Sequence, residues 1–127
     1  MSRWTVSGAM LAGIGILLVM HFMYILVMVD ARRYELLRLV LFGFPVVASF
    51  LVAFLAPRWK FVLAMSLSVF GATIGLISMR IYERLGLHVD NIGGLLETFV
   101  ILLVFHCFMC SIGGVVGALS SRKSTEN

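Results

Sequence analysis

The sequence predicts an all-α integral membrane protein: a four-helix transmembrane bundle with short loops and both termini on the same side. Three observations predict it. Four apolar runs, Trp4 to Val29, Leu36 to Leu55, Phe61 to Met79 and Ile92 to Leu119, take up almost the whole chain, and each is close to or above the roughly 20 residues a helix needs to cross a hydrocarbon core of about 30 Å. Of the 127 residues, 61% are hydrophobic and 13% charged, too few polar groups to cover a water-soluble surface of this size. Aromatic residues that favour the headgroup boundary mark the run ends, Trp4 and Trp59 on one side (side A), Tyr34 and Tyr82 on the other (side B). Lipid offers no partners for free backbone groups, so the runs must be helices. Their expected bounds are about 4-29, 36-55, 61-82 and 92-119 within a single transmembrane domain, 1-127, with 120-127 as a short polar tail.

The first run follows Arg3 as a signal peptide would, but it is longer than a secretory h-region and closes on no A-x-A site, so a retained helix is expected. It carries two small residues four apart, Ala9 and Gly13. The first loop, Asp30 to Arg38, alternates charges with Tyr34, Leu36 and Leu37 and reads as an interfacial helical turn. In the second run the ring of Pro45 opposes the carbonyl of Leu41, which predicts a kink beside Gly43. The second loop, Ala56 to Lys60, is short enough to return the third helix antiparallel beside the second. The third carries Gly71 and Gly75 and can end at Gly86; the fourth can be capped by Asp90 or Asn91 and carries Gly113 and Gly117. Small residues on one face let helix backbones approach closely in lipid. The first and fourth helices are therefore expected to be closest near side A, through Ala9, Gly13, Gly113 and Gly117, with the second helix facing lipid.

The formal charge of +4 suggests an acidic partner until the basic residues are placed. Arg3, Arg58, Lys60, Arg122 and Lys123 fall on side A, and Arg32, Arg33, Arg38, Arg80 and Arg84 on side B. An even split is the pattern of anchors to the headgroups of a lipid bilayer, and no nucleic acid partner is expected. Asp30, Glu35, Glu83, Asp90 and Glu97 lie toward side B and only Glu126 toward side A. With Arg80 partly embedded, this favours cytoplasmic termini, and the expected location is the bacterial inner (plasma) membrane.

Three sets of residues could carry chemistry. Glu97 lies about one and a half turns into a fourth helix that starts near Ile92, and Arg80 is at similar depth on the third. A carboxylate inside lipid must pair, protonate or reach water, so the expectation is an Arg80 to Glu97 ion pair, or a proton or ion coupling site. His21 and His106 sit near the middle of their helices and read as a polar cavity; two imidazoles at related depth are also what holds a b-type haem, the alternative to a protein without cofactors. Cys107 and Cys110 form a C-x-x-C that could serve as a redox pair, although the leading reading is of structural cysteines packed as small apolar residues. No set of metal ligands is recognisable. The leading expectation is a non-enzymatic membrane protein acting through helix contacts, as an accessory or assembly subunit or immunity-type binder of another membrane protein. The alternatives are a homo-oligomeric channel or proton-coupled transporter using Glu97 and Arg80, and a membrane redox protein using Cys107 and Cys110 or His21 and His106.

Overall fold

The computed structural model describes residues 4–28, 43–86 and 94–126. Four helices make up these residues: α1 (Val6–Met28), α2 (Phe44–Leu55), α3 (Lys60–Arg84) and α4 (Leu95–Glu126). Among the described residues there is no strand. Three of the helices hold spans long and apolar enough to cross a membrane, Val6–Tyr24, Lys60–Arg84 and Leu95–Ser124, so the protein is an integral membrane protein and the predicted fold class holds. The first-loop turn from Asp30 to Arg38, Leu41, the start of the second run from Leu36, and the capping residues Asp90 and Asn91 lie outside the described residues.

Local chemistry explains the element ends. Thr5 caps α1, its hydroxyl accepting from the N–H of Gly8 at 3.0 Å. Pro45 stands in the first turn of α2, just after Gly43. There the missing N–H is unneeded and the fixed φ suits a helix start; the kink expected beside Gly43 involves Leu41, outside the described residues. The turn between α2 and α3 passes through Trp59 in the left-handed region (φ 52), with the Arg58 guanidinium 4.6 Å from its ring centre. α3 ends as expected at Gly86, with φ 75. α4 runs beyond its apolar stretch through the polar residues to Glu126.

Neighbouring residues set the topology. Lys60 at the start of α3 donates to Ser121 near the end of α4 at 2.7 Å, and Ser66 approaches Met10, so the start of α1 and the end of α4 share one end of an up-down-up-down bundle. The packing departs from the sequence expectation. α2 touches all three other helices, whereas α1 and α4 do not pack on each other. Gly113 and Gly117 of α4 seat against α2: a Cβ at Gly113 would collide with the Val46 carbonyl and the Ser49 hydroxyl, and one at Gly117 with the Phe50 carbonyl. Gly114, next in sequence, faces Ala64 and Phe61 of α3, and Gly13 of α1 faces Val52 of α2 and Leu67 of α3. The second helix is thus the shared interior wall and not the lipid-facing one; it buries Pro45, Ala48, Ser49, Val52 and Ala53. Ala9 is also buried, but it does not meet α4.

The core between these walls is small. Leu17, Ala48, Val52, Leu67 and Cys110 form it, with Met10, Ile14, Ile16, Leu63, Met65 and Ile74 packed around. Because carbonyls of α2 lie where a Cβ on α4 would go, the backbones themselves set the α2 to α4 spacing. Gly113→Ala is therefore expected to destabilise the bundle by about 1–3 kcal/mol, the usual range for overpacking. Gly15 has nothing within 4 Å of an added Cβ, so Gly15→Ala is expected to be neutral or to stabilise by up to about 1 kcal/mol through its helix propensity. Thermal unfolding of the two variants in one detergent checks the contrast.

Candidate functional site

Of the two candidate sets drawn from different helices, the structure brings together one. His21 projects from α1 and His106 from α4, and their rings lie parallel within 13° with centres 6.3 Å apart. They cross the space between two helices whose backbones do not approach closely. The floor of that space is α3, where Gly71 and Gly75 have no side chains to fill it. A Cβ on Gly71 would run into the His106 ring, 2.7 Å from Nε2, and a Cβ on Gly75 would stand 3.4 Å from Nε2 of His21. The Gly71 and Gly75 pair therefore accommodates imidazoles, where the sequence suggested a close approach of backbones.

Each ring is oriented by its own helix. His21 Nδ1 lies 2.7 Å from the Leu17 carbonyl and His106 Nδ1 lies 2.8 Å from the Leu102 carbonyl, in each case four residues back. A carbonyl can only accept, so both Nδ1 atoms donate, and in the neutral ring Nε2 keeps its lone pair. Both histidines are buried, and His106 is only 2% exposed. Among the described residues its Nε2 has no hydrogen-bond partner. An edge-on contact with Phe105 at 5.3 Å closes another side. Around His21, the Tyr82 hydroxyl reaches toward the backbone carbonyl of that residue at 3.5 Å and packs its ring against Tyr24 at 6.0 Å. Tyr82 is buried, 3% exposed, and is part of this interior instead of a headgroup anchor.

The b-type haem alternative can be tested on this geometry. A porphyrin held between two histidines needs an open layer on the Nε2 side of each ring. Here the edge of His106 that carries Cδ2 and Nε2 rests on the backbone of Gly71, so the arrangement does not fit the macrocycle. Among the described residues no three His, Cys, Asp or Glu groups are placed to hold a metal ion.

Arg80 and Glu97 are not brought together, and the two cysteines, three residues apart on one helix, turn to different neighbours. Arg80 pairs with Glu83 on its own helix at 2.8 Å, both side chains about half exposed, and not with Glu97. α4 begins at Leu95, not Ile92, so Glu97 falls in its first turn and is exposed. A carboxylate there is favoured by the free N–H groups and the positive end of the helix dipole, and it needs no buried cation. Cys107 and Cys110 are free thiols that serve different interfaces. Cys107 donates to Ser68 of α3 at 3.3 Å, while Cys110 is fully buried in the core beside α2, 4.0 Å from the Pro45 carbonyl. They pack as small side chains.

The sequence reading missed two contributors. Tyr82 at the side-B end of the interior and Lys60 bonded to Ser121 both looked like boundary residues; only their position relative to neighbouring helices shows otherwise. Because Glu97 and Arg80 are not partners, Glu97→Gln is expected to change stability by no more than about 0.5 kcal/mol, the range of ordinary surface substitutions. Arg80→Gln removes only an exposed pair three residues apart, worth about 0.2–0.5 kcal/mol. Thermal midpoints of both single variants and the double variant check this, since a true pair would make the two effects strongly non-additive. Comparison of the chain with models of protein families, with curated proteins and with solved structures finds no match.

Proposed function

We propose that the protein is a non-enzymatic polytopic membrane protein that works through its helices, as an accessory or assembly subunit or immunity-type binder of another membrane protein. It would reside in the bacterial inner membrane with both termini cytoplasmic. The observation that supports this reading most is the fate of the residues around which catalysis or transport would be organised. Arg80 is bonded to Glu83, Glu97 stands exposed in the first turn of α4, and the two thiols face different helices. What the chain specialises instead is close helix packing, at Gly113, Gly114 and Gly117 on α4 and at Gly13 on α1. Short connections at the described end, Ala56 to Trp59, leave the helices themselves as the surface a partner can meet.

Photo-crosslinking in native membranes tests the reading. A photoreactive residue is placed singly at exposed positions on the outer faces of α1 (Leu18), α3 (Val69) and α4 (Val104, Phe108). The expected result is one discrete protein adduct confined to one face, with the other positions reacting with lipid alone. If the adduct proves to be a second copy of the chain, the partner is the protein itself. Lipid adducts at every position, together with solute or proton flux in liposomes holding the purified protein, would replace this reading with the transporter alternative.

A further inference from the structure

The buried histidines do more than fill space. Their Nδ1 protons are held by the Leu17 and Leu102 carbonyls at 2.7 and 2.8 Å, which leaves two acceptor nitrogens inside the span, and that of His106 is buried without a partner among the described residues. Acceptors withdrawn from water call for a donor. The ring geometry limits what it can be. With C–N bonds of about 1.33 Å, a five-membered ring places each nitrogen about 1.1 Å from its centre. Centres 6.3 Å apart thus put the two Nε2 atoms between about 4 and 8.5 Å from each other.

A metal ion bound linearly by both nitrogens, with bonds of about 2 Å, needs the lower extreme, with the two nitrogens aimed straight at each other. They are not so aimed, because both lie against α3, His106 at Gly71 and His21 at Gly75. A water molecule donating to both, with its two bonds at roughly the tetrahedral angle, needs about 4.5–5 Å, inside the range. The charges around the pair favour one proton as the guest. The titratable groups nearby are Tyr24 on α1 and Tyr82 on α3, with Cys107 next to His106 in the sequence of α4, and α2 carries no ionisable side chain. Glu83 and Glu97, the carboxylates with described side chains, are exposed. Among the described residues, therefore, no facing anion offsets a second positive charge beside the first.

We propose that His21 and His106 form an intramembrane binding site for a single proton, shared between their two Nε2 atoms through one bridging water over the Gly71 and Gly75 face. On uptake, one Nε2 lone pair forms a bond to the proton, and the resulting imidazolium N–H donates through the water to the other Nε2. Both Nδ1–H bonds stay in place. Release reverses the step without any redox partner.

Nitrogen NMR of the full chain, labelled at histidine and embedded in lipid nanodiscs, tests the proposal across a pH titration. His88 is assigned and set apart with His88→Gln. The expected result is a common midpoint for His21 and His106, one proton taken up by the two rings together, and Nδ1 protonated throughout. His21→Asn and His106→Asn should each shift the midpoint of the remaining ring by at least one pH unit, a tenfold change in proton affinity. Two independent midpoints, uptake of two protons, or rings that stay neutral down to pH 4 would overturn it. Should the Asn variants fail to fold, the wild-type titration alone still decides, because proton count and shared midpoint are read from the unmodified protein.

Discussion

The packing of α4 against the bare backbone of α2 governs the arrangement of everything else. At Gly113 and Gly117 a Cβ would occupy the place of α2 carbonyls and the Ser49 hydroxyl, so the two helices approach as closely as main chains allow. In lipid there is no hydrophobic drive to push helices together, and such contact supplies dispersion attraction where side chains would hold backbones apart. Once α4 is seated there, with Gly114 turned to Ala64 and Phe61 of α3, it occupies the α2 and α3 side of the bundle. α1 docks on the opposite flank of the same two helices, through Gly13 against Val52 and Leu67. The gap between α1 and α4 follows from that geometry, and two imidazoles fill it.

Five serine and threonine hydroxyls inside the span follow one rule. Hydroxyls donate to carbonyls of their own helix three or four residues back: Ser49 to Pro45 and Val46, Ser66 to Leu63, Ser68 to Met65, Thr73 to Val69 and Ser111 to Phe108. The histidines do the same with Nδ1. A hydroxyl satisfied in this way can cross the membrane without a partner helix, so these residues permit packing rather than drive it. A histidine differs because its second nitrogen remains, and that residual acceptor makes the His21 and His106 pair the chemically distinct place in the interior. Charged groups follow the complementary rule. Arg80, Glu83 and Glu97 are exposed near helix ends; the helix dipole favours Glu97 at the start of α4 and Arg80 near the end of α3, and Glu83, at that same negative end, is paired with Arg80.

Much of the fold is legible in the sequence because a bilayer imposes it. The helical nature of the apolar runs, the stop at Ala56 and Pro57, and Gly86 at the end of α3 all follow from hydropathy and backbone chemistry. Which helices touch is harder to read, since small residues mark a close approach without naming the partner. Gly113 and Gly117 announce a tight face, yet that face meets α2. The signal for α2 was present: Ser49 and Ala53 are four residues apart, and both are buried. Ser49 escaped notice because it is polar, although its bond to the Pro45 carbonyl lets it act as a small apolar residue. The candidate site divides the same way. Depth along the helices places His21 and His106 near one another, but the Arg80 to Glu97 pair fails because α4 starts three residues later than hydropathy suggests, which moves Glu97 into the first turn. The role of Gly71 and Gly75 as a floor for two rings depends on which side chains project from α1 and α4, information that periodicity on α3 does not contain.

Through-space NMR contacts from the glycines of α4, measured in uniformly labelled protein in lipid bilayers, test the central claim without altering a residue. The packing described here predicts cross-peaks from Gly113 to Val46 and Ser49 and from Gly117 to Phe50 and Ala53, with none from either glycine to Ala9 or Gly13. Cross-peaks from Gly113 and Gly117 to Ala9 and Gly13, with the α2 contacts missing, would contradict it and place α1, not α2, against α4.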